Sequence, residues 1–600
     1  MRFSGVALAA GLQLTAVLAH DGDQKPLGAG PSSKKSQPNI VFILTDDQDV
    51  HMNSLDYLPL IKKHLIDQGT TYKRHYCTTA ICCPARVSIL TGRQAHNTNV
   101  TDVSPPHGGY PKFIRQGLND AYLPVWLQEA GYNTYYTGKL FNAHDVQNYK
   151  APYAKGWTGS DFLLDPFTYD YLNSTYQRNQ DRPVRHEGEY TGDLLAEKAY
   201  GFLDDAVKED EPFFLGIAPV APHSNVHFDL LSGDITEPIT DPGQIEFEVQ
   251  FSPPISAKRH EHLFKDVKIP RTPHFNPDEA QGANWVRNLP KQSQENVDYN
   301  DHFYRQRLRA LQSVDELVDG VFQRLERYGL LENTFVIYTT DNGYHIGQHR
   351  LQPGKECGFE EDINVPLLIR GPGVPQGEIA DIVTTHIDLA PTILQLAGAP
   401  SRADFDGEAI PLRRSELAEA AETHHEHVAV EFWGMAATEG KLWDGEDRII
   451  LNNTYKAVRI VSKTYNFYYS VWCNNEHELY DLTTDPYQQR NLLHADEVAP
   501  ATILGVPFAK VISRLDSLLF VLKSCKAQTC RRPWAALHPA GNVQNLHDAL
   551  SPRFDEFYLR EQKRVSYSRC EFGYIVDAEG PQFEKDGLVY RSNADWSHWA

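Results

Sequence analysis

Residues 39–47 read Asn39-Ile-Val-Phe-Ile-Leu44-Thr45-Asp46-Asp47, an apolar run that ends abruptly in two carboxylates. Such a run is typical of a strand buried on both faces of a parallel sheet. Adjacent carboxylates at its end are costly to bury unless a cation meets them. A solvated turn is one interpretation, but we favour a metal site because the pattern recurs where Phe335-Val-Ile-Tyr338 leads into Asp341-Asn342.

Strands and helices alternate over most of the chain. Apolar segments predict strands over residues 133–136, 213–217, 335–338 and 365–369, and helical spacing predicts helices over 58–68, 123–129, 304–327 and 389–396. This alternation implies right-handed crossovers and a mostly parallel sheet flanked by helices, the α/β class. Residues 225–300, rich in Pro, Asp and Gln, are expected to form surface loops around a pocket.

Polar side chains follow four of the predicted strands. They are Asp46-Asp47, Lys139 in Thr137-Gly138-Lys139, His223 in Ala221-Pro222-His223, and Asp341-Asn342. Taken alone, a lysine is most often a solvated surface amine and a histidine a structural imidazole. Ligands of parallel sheets bind beyond the carboxyl ends of the strands, so these side chains together predict one binding pocket.

The pattern changes beyond about residue 425. Residues 456–461 and 466–471 predict short strands and residues 501–522 a helix, which indicates a smaller α+β domain with an antiparallel sheet. A chain of 600 residues exceeds one ordinary core. We therefore expect four parts: a signal peptide (1–19), a polar N-terminal segment (20–37), a larger domain with the pocket (38–425), and a smaller C-terminal domain and tail (426–600).

The N-terminus resembles a secretion signal. Arg2 precedes an apolar segment over residues 5–18, and Val17-Leu18-Ala19 suits cleavage before His20. The segment is shorter than the roughly 20 residues of a membrane span, so we expect a soluble protein without a membrane anchor, either extracellular or in the lumen of the secretory pathway. Three sequons agree with that route and predict glycosylation at Asn99, Asn173 and Asn452.

The net charge narrows the classes of molecule that the chain could bind, and the cysteine content indicates a disulfide. The chain has 57 basic and 79 acidic residues, a formal charge of −22, which argues against nucleic acid and disfavours long polyanions. Among its 8 cysteines we expect a disulfide between Cys525 and Cys530, which bracket a short loop. The remaining connectivity and the oligomeric state stay open.

The segment Cys82-Cys83-Pro84-Ala85-Arg86, followed by Leu90-Thr91-Gly92-Arg93, is predicted to begin a helix. Pro84 suits the first turn, where its missing N–H is not needed. Cys82 would then lie at or just before a helix N-terminus, which favours an anion. Arg86, one turn on, can reach the same anion. A lone cysteine is usually structural or half of a disulfide, but this spacing points to chemistry.

The spacing Cys-x-Pro-x-Arg followed by Leu-Thr-Gly resembles the signature of the sulfatase family, in which the cysteine is oxidised to formylglycine. The resemblance covers most of the mature chain and implies a fold like that of alkaline phosphatase. Its details are similar to secreted arylsulfatases and N-acetylglucosamine-6-sulfatases. The motifs that carry it are Cys82-Cys83, Thr137-Gly138-Lys139, Asn142, Ala221-Pro222-His223, Asp341-Asn342-Gly343-Tyr344-His345, Lys355, Glu478-Leu-Tyr-Asp-Leu482 and Asp485-Pro486.

The resemblance implies a role for each matching residue. Residue 82, as a hydrated formylglycine made by a formylglycine-generating enzyme, would attack the sulfur of a sulfate ester and later release sulfate. The implied catalytic residues are Cys82, Arg86, Lys139, His223 and Lys355, and the implied substrate-binding residues are Lys139, His223, His345 and Lys355. The implied metal ligands are Asp46, Asp47, Cys82, Asp341 and Asn342, whose side chains other than Cys82 offer hard oxygen donors that favour one Ca²⁺ per chain, with Mg²⁺ second.

One position departs from the family pattern. Many arylsulfatases have a histidine two residues after the lysine, where it is thought to take the proton that drives sulfate elimination, and this chain has Phe141. His144 and His345 are the candidates left for that base.

The acidic chain favours a small aryl sulfate as substrate over a polyanion. The alternatives are an N-acetylglucosamine-6-sulfatase acting on glycosaminoglycans, a phosphodiesterase or phosphonate hydrolase of the same superfold, and a non-catalytic secreted glycoprotein. The last is disfavoured because every motif residue is present.

Overall fold

The structure, a computed structural model, describes residues 37–232, 246–443, 448–494 and 499–583. The predicted signal peptide, and the predicted polar N-terminal segment up to residue 36, lie outside the described residues. Within the described part of the chain, none of the helices combines the length and the apolar character that crossing a membrane requires.

The described strands fall into one large sheet and several small ones. In chain order they are β1 (Asn39–Thr45), β2 (Thr70–Tyr76), β3 (Asn133–Gly138), β4 (Gly159–Leu163), β5 (Asn173–Arg178), β6 (Val184–Glu187), β7 (Phe213–Ala218), β8 (Asn225–Ser232), β9 (Glu246–Ser252), β10 (Thr334–Thr340), β11 (Leu367–Arg370), β12 (Glu378–Thr385), β13 (His427–Phe432), β14 (Met435–Ala437), β15 (Ile449–Leu451), β16 (Tyr455–Val461), β17 (Asn466–Trp472), β18 (His477–Asp481), β19 (Thr502–Ile503) and β20 (Val506–Pro507).

The α-helices range from single turns to one long helix. In chain order they are α1 (Pro59–Ile61), α2 (Cys82–Thr91), α3 (Ala95–Thr98), α4 (Gly109–Arg115), α5 (Leu123–Glu129), α6 (Thr191–Ala206), α7 (Gln294–Arg327), α8 (Glu360–Ile363), α9 (Leu389–Leu396), α10 (Arg414–Thr423), α11 (Phe508–Leu522), α12 (Gln528–Arg531), α13 (Pro533–Leu537) and α14 (Leu546–Ala549).

The large sheet has ten strands in the order β12-β2-β11-β10-β1-β7-β3-β4-β5-β6. Five of its nine pairings are parallel: β12–β2, β10–β1, β1–β7, β7–β3 and β3–β4. The predicted α/β class with a mostly parallel sheet is therefore confirmed.

β1 is buried on both faces, as its apolar run predicts. Ile40, Phe42 and Leu44 pack into the apolar cluster on one face of the sheet, together with α2, α5 and α9. Val41 and Ile43 pack into the cluster on the other face, together with α6 and α7. The sheet is thus the middle of three layers, and helices cover both of its faces.

Beyond residue 425, β13, β16, β17 and β18 form the predicted antiparallel sheet, and α11 packs against it. The predicted disulfide Cys525–Cys530 is confirmed. A second disulfide, Cys473–Cys570, joins residues 97 positions apart and was not predicted. The other four cysteines, among them Cys82, are free and buried. The division of the chain into domains stays a prediction.

Several predicted elements are corrected by the structure. The strand predicted over 365–369 is β11, Leu367–Arg370, and it runs antiparallel to β10, because the segment between them lines the end of the sheet instead of crossing back over it. Residues 225–300 include the β8–β9 hairpin and the first turns of α7, whose polar sequence hid them. The predicted helix over 501–522 begins only at Phe508, after the β19–β20 hairpin. That predicted over 58–68 is α1 followed by a π-helical turn, Lys62–Ile66.

The three sequons differ in exposure. Asn452 is exposed and Asn99 is half-buried. Asn173 is buried in β5, where its Oδ1 accepts a hydrogen bond from Arg185 Nε at 2.6 Å. This geometry counts against the prediction of glycosylation at Asn173, because a glycan needs an exposed amide.

Candidate active site

The register of the central strands brings the acidic residues together. β1 and β10 pair in parallel with Thr45 opposite Thr340, so Asp46-Asp47 and Asp341-Asn342 leave the sheet side by side. The Asp47 N–H donates to Asp341 Oδ1 at 3.1 Å, and Asn342 Nδ2 donates to Asp47 Oδ1 at 2.7 Å. All four residues are fully buried. The predicted oxygen cluster is therefore assembled by strands from distant parts of the chain.

The donor set of this cluster fits a hard cation. Asn342 Oδ1 is buried and has no hydrogen-bond partner among the described residues. A buried amide oxygen is normally paired, so a cation ligand is a natural role for it. Ligand atoms of Asp46, Asp47, Cys82 and His223 lie within 4.8 Å of one another.

Cys82 lies at the start of α2, as its motif predicts, and its Sγ is 3.4 Å from Asp46 Oδ1. Arg86, one turn further, donates from Nε to Asp341 Oδ2 at 2.7 Å and from Nη1 to the carbonyl oxygen of Lys139 at 2.6 Å. Its Nη2 lies 3.4 Å from Asp46 Oδ2. Arg86 therefore contacts the carboxylates directly and is completely buried among them.

Lys139 enters the cluster from the end of β3. Gly138 has φ +103°, and a Cβ at this position would lie 2.1 Å from the carbonyl oxygen of Ala218, so only glycine fits. Lys139 Nζ then bonds Asp46 Oδ2 at 2.5 Å and lies over the Tyr169 ring at 4.7 Å. The Thr-Gly-Lys motif thus aims a buried ammonium at the carboxylates.

Lys355 bridges two carboxylates on the other side of the pocket. Its Nζ is 2.7 Å from Asp47 Oδ2 and 2.9 Å from Glu439 Oε1. Burial alone would lower the pKa of Lys355, but Asp47 and Glu439 raise it well above its usual value. Conversely, burial raises the pKa of Glu439 but Lys355 and His223 hold it below its usual range, so this carboxyl is ionised.

His223 completes the group. Its Nδ1 is 2.8 Å from the carbonyl oxygen of Ser224, which can only accept, so Nδ1 carries the proton. The other ring nitrogen, Nε2, is 3.6 Å from Asp47 Oδ2 and 3.9 Å from Glu439 Oε1. The ring stacks on Tyr169 with centroids 4.0 Å apart. His223 therefore presents one ring nitrogen to the pocket.

The charges of the pocket do not balance by themselves. Three permanent cations, Arg86, Lys139 and Lys355, form ion pairs with four carboxylates, those of Asp46, Asp47, Asp341 and Glu439. A further cation close by, Arg307, is paired with Asp49 and adds no net charge. A divalent cation would reverse this negative excess and make the pocket attractive to an anion.

The predicted residue His345 lies apart from this group. Its Nδ1 contacts Asp362 Oδ1 at 2.8 Å, and its ligand atom groups with those of Cys357 and Asp362. His144, the other candidate base, is packed against Tyr110, and burial lowers its pKa to about 3. The structure describes no contact of either ring with Cys82.

Sequence reasoning missed three residues of the pocket. Glu439 comes from beyond residue 425, and its Oε2 accepts hydrogen bonds from Ser224 Oγ and Tyr344 Oη, each at 2.9 Å. Tyr169 lies under Lys139 and His223. Arg307 of α7 donates to the carbonyl oxygen of Asp47. No motif marks these positions, so only the fold reveals them.

Comparison with known proteins identifies the class. The sequence profile described as Sulfatase matches residues 38–399, and that of the N-sulphoglucosamine sulphohydrolase C-terminal region matches residues 347–504. The matched region contains Cys82 and all the proposed metal ligands. The chain belongs to the sulfatase family, and it is a hydrolase of sulfate esters.

Similar proteins extend over most of the chain. An arylsulfatase of Volvox carteri is 39% identical over 547 residues, covering 87% of this chain and 80% of its own length. An arylsulfatase of Chlamydomonas reinhardtii is 36% identical, with 96% and 86% covered. The human N-acetylglucosamine-6-sulfatase is 31% identical, with 84% and 88% covered.

Solved structures share the fold at low sequence identity. One, a complex with its substrate D-glucosamine-2-N,6-O-disulfate, has a TM-score of 0.60 and 20% identity and covers 81% of this chain and 97% of its own. A phosphonate monoester hydrolase from Silicibacter pomeroyi has a TM-score of 0.53 and 17% identity, with 77% and 92% covered. These likenesses support the alkaline-phosphatase-like architecture and do not discriminate between substrates.

Proposed function

We propose that this sulfatase is an arylsulfatase, which cleaves small aryl sulfate esters to a phenol and sulfate with a formylglycine made from Cys82 and one bound Ca²⁺. The observation that carries the substrate assignment is a set of exposed apolar side chains beside the pocket, the apolar rim. It consists of Val249, Ile449 and Leu451, which are 39%, 44% and 58% exposed.

The residues of the apolar rim lie on two hairpins, and each hairpin is adjacent in sequence to a residue of the pocket. β8 begins at Asn225, directly after His223 and Ser224, and its partner β9 carries Val249. β14 ends two residues before Glu439, and its partner β15 carries Ile449 and Leu451. Arg448 lies over the Phe251 ring at 4.4 Å and joins the hairpins. An aryl leaving group pointing out of the pocket would meet this apolar surface, which water solvates poorly.

A glycosaminoglycan would need free basic side chains in the same region, and Arg448, which lies there, is engaged with the carbonyl oxygens of Thr438 and Gly440. The chain carries a formal charge of −22, and its short basic pairs are engaged elsewhere. Lys62 contacts Asp67, and Arg532 contacts Glu408 at 3.0 Å. This charge distribution favours a small monoanion over a polymer of sulfates.

The metal would be held by the oxygen cluster. Asp46, Asp47, Asp341 and Asn342 offer only oxygen atoms, and the unpaired Asn342 Oδ1 is the strongest sign that they suit Ca²⁺, or in second place Mg²⁺. When bound, the cation would withdraw electron density from a sulfate oxygen and favour loss of a proton from the attacking group.

The residues of the chain itself would carry out the attack on sulfur, the binding of sulfate oxygens and the proton transfer. Hydrated formylglycine at position 82 would supply one hydroxyl to attack sulfur and a second whose proton loss releases sulfate. Lys139, paired with Asp46, and Lys355, paired with Asp47, would hold sulfate oxygens and offset their charge. The leaving oxygen needs a proton as the S–O bond breaks, and His223 would donate it from Nε2 once that nitrogen is protonated as well as Nδ1; the ring would then return to its Nδ1–H form. Arg86 would fix Asp341 and Asp46, and His345 is proposed as a further substrate contact.

Glu439 is expected to position Lys355 and His223. In Glu439→Gln, Lys355 keeps only Asp47 as a carboxylate partner and shifts toward it. We expect kcat on nitrophenyl sulfate to fall about 10- to 100-fold, as small misplacements do. KM should not rise, because a negative charge beside the anionic substrate is removed. Steady-state kinetics test this, with Glu426→Gln as a control of unchanged kcat, because Glu426 is also buried but accepts from Trp534 Nε1 and the Leu546 N–H, outside the pocket. A raised KM with unchanged kcat would contradict the positioning role.

Maturation and location follow from the same proposal. We propose secretion or residence in the secretory lumen, glycosylation at the exposed Asn452 and half-buried Asn99, and conversion of Cys82 by a formylglycine-generating enzyme. Nucleic acid and membranes are not expected partners.

The substrate assignment is tested by kinetics on two esters at low and moderate salt. We expect kcat/KM on a nitrophenyl sulfate to exceed that on a 6-sulfated glucosamine oligosaccharide by at least about 10-fold, the scale of one apolar contact. Replacing Ile449 and Leu451 by serine should raise KM for the aryl ester, whereas Ile379→Ser, equally apolar and 68% exposed on β12, should not.

Other outcomes select the alternatives. Higher efficiency on the oligosaccharide, falling as salt rises, would establish the glycosaminoglycan sulfatase. Higher efficiency on a phosphate diester or phosphonate ester than on any sulfate would establish the hydrolase of the same superfold.

A further inference from the structure

A second group of buried metal-type ligands lies outside the sulfate pocket. His274, His349 and Glu361 each offer one ligand atom, and these atoms lie within 4.8 Å of one another. The side chains are 2%, 1% and 5% exposed. His274 comes from the region before α7, and His349 and Glu361 come from the connection between β10 and β11, Glu361 from α8 within it.

Two imidazole nitrogens of this group have no hydrogen-bond partner among the described residues. His349 Nδ1 is 3.1 Å from Gln281 Oε1, which can only accept, so Nδ1 carries the proton and Nε2 keeps a free lone pair. His274 Nε2 is 2.6 Å from Glu361 Oε1, and its Nδ1 is the second unpaired nitrogen. Buried polar atoms are normally paired, so the free lone pair of His349 Nε2, in a group that also contains the His274–Glu361 contact, points to a ligand.

The surroundings orient the rings as in known metal sites. A ligating histidine usually donates its other N–H to an oxygen, as His349 does to Gln281. Phe359 stacks on the His349 ring with centroids 3.8 Å apart, and Tyr487 stacks on the His274 ring at 4.9 Å. Tyr487 is 36% exposed, so the group lies one ring below the surface and within reach of an ion.

We propose that His274, His349 and Glu361 form a second metal site, for a divalent transition ion of the zinc type. Two imidazoles and one carboxylate suit Zn²⁺ and leave a fourth position for water. Calcium prefers oxygen ligands alone and does not suit this group.

A bound ion would stabilise the conformation of the connection between β10 and β11, which lines the sulfate pocket. The His349 N–H already donates to the His274 carbonyl oxygen at 2.7 Å, and the Tyr344 N–H donates to that of Glu361 at 2.9 Å. The same connection carries Asn342 and Lys355. A metal that binds only the folded chain stabilises it by mass action, so the site would act on stability without touching the substrate.

The test uses the full-length protein, freed of metal by a chelator and then titrated with Zn²⁺ or Co²⁺. We expect one tightly held Zn²⁺ and a visible Co²⁺ absorption spectrum. His349→Gln and Glu361→Gln should each weaken binding at least about 100-fold. His424→Gln is the matched control, because Glu408, His424 and His425 form a similar but more exposed group. Zn²⁺ should raise the melting temperature of the wild type and of His424→Gln, and not of the other two variants.

If the variants do not fold, a mapping experiment on the wild type tests whether His274 and His349 bind a metal ion. Cu²⁺ with ascorbate oxidises the residues that bind the copper, and peptide mass spectrometry locates them. Oxidation at His274 and His349 is expected. Oxidation confined to His424 and His425, no saturable Zn²⁺ binding, or an unchanged Co²⁺ spectrum in both folded variants would leave a metal-free His274–Glu361 hydrogen bond and overturn the proposal.

Discussion

Cys82→Ser is expected to end sustained hydrolysis of nitrophenyl sulfate, with kcat at least about 10⁴-fold lower. A serine hydroxyl can take the sulfuryl group from the ester, which forms one S–O bond and breaks another. It lacks a second hydroxyl on the same carbon, so it cannot expel the sulfate by forming a carbonyl. Product should therefore appear as a burst of at most one per chain, and intact-protein mass should increase by one sulfuryl group.

The adjacent thiol provides the control. Cys83 is also buried in the first turn of α2, and Cys83→Ser should keep its turnover. In the active wild type, peptide mapping should find an aldehyde at residue 82 that resists thiol alkylation. An alkylatable thiol there in fully active enzyme, or repeated turnover by Cys82→Ser, would rule out the formylglycine mechanism.

Asp341→Ala should remove bound calcium and activity together. The substitution takes away a proposed ligand and leaves Arg86 buried without its 2.7 Å partner. Loss of one partner of a buried ion pair destabilises by about 3–5 kcal/mol. We expect elemental analysis to find about one Ca²⁺ per wild-type chain and none in the variant, and calorimetry to find a lower melting temperature.

Asp516→Asn separates loss of a buried carboxylate from loss of the metal. Asp516 lies in α11, is 1% exposed and accepts a hydrogen bond from Tyr469 Oη at 2.8 Å. Tyr469 belongs to the antiparallel C-terminal sheet and not to the large sheet whose strand ends form the pocket. This variant should lose stability but keep calcium and kcat. Active enzyme with neither calcium nor magnesium, or Asp341→Ala with full calcium content, would refute the oxygen-ligand assignment.

The parts of the site that the sequence predicts are those tied to strand ends. Asp46, Lys139, His223 and Asp341 each follow an apolar run, and parallel strands bring their carboxyl ends to one edge. Local pattern and topology agree at these positions, so the sequence predicts the assembly of all four.

Other parts depend on contacts that no local pattern encodes. Glu439 reaches the pocket because β14 and the loop after it pack on residues 353–355, where the Glu439 N–H donates to the Pro353 carbonyl oxygen. The direction of β11 depends on how the chain between it and β10 returns. Cys473 and Cys570 meet only after the C-terminal sheet has formed. Tertiary packing decides these features, and the residues themselves give no local sign of them.

The pairing of β1 with β10 also sets the earliest time at which the pocket can form in a newly synthesised chain. Thr45 and Thr340 touch across 295 residues, so the pocket cannot close until ribosomes have added the second strand. At about 5–20 residues per second, this takes roughly 15–60 seconds. During that interval Cys82, only 2% exposed in the finished fold, has no completed pocket around it. The proposed conversion of Cys82 to formylglycine would therefore need to take place before this segment folds into the pocket.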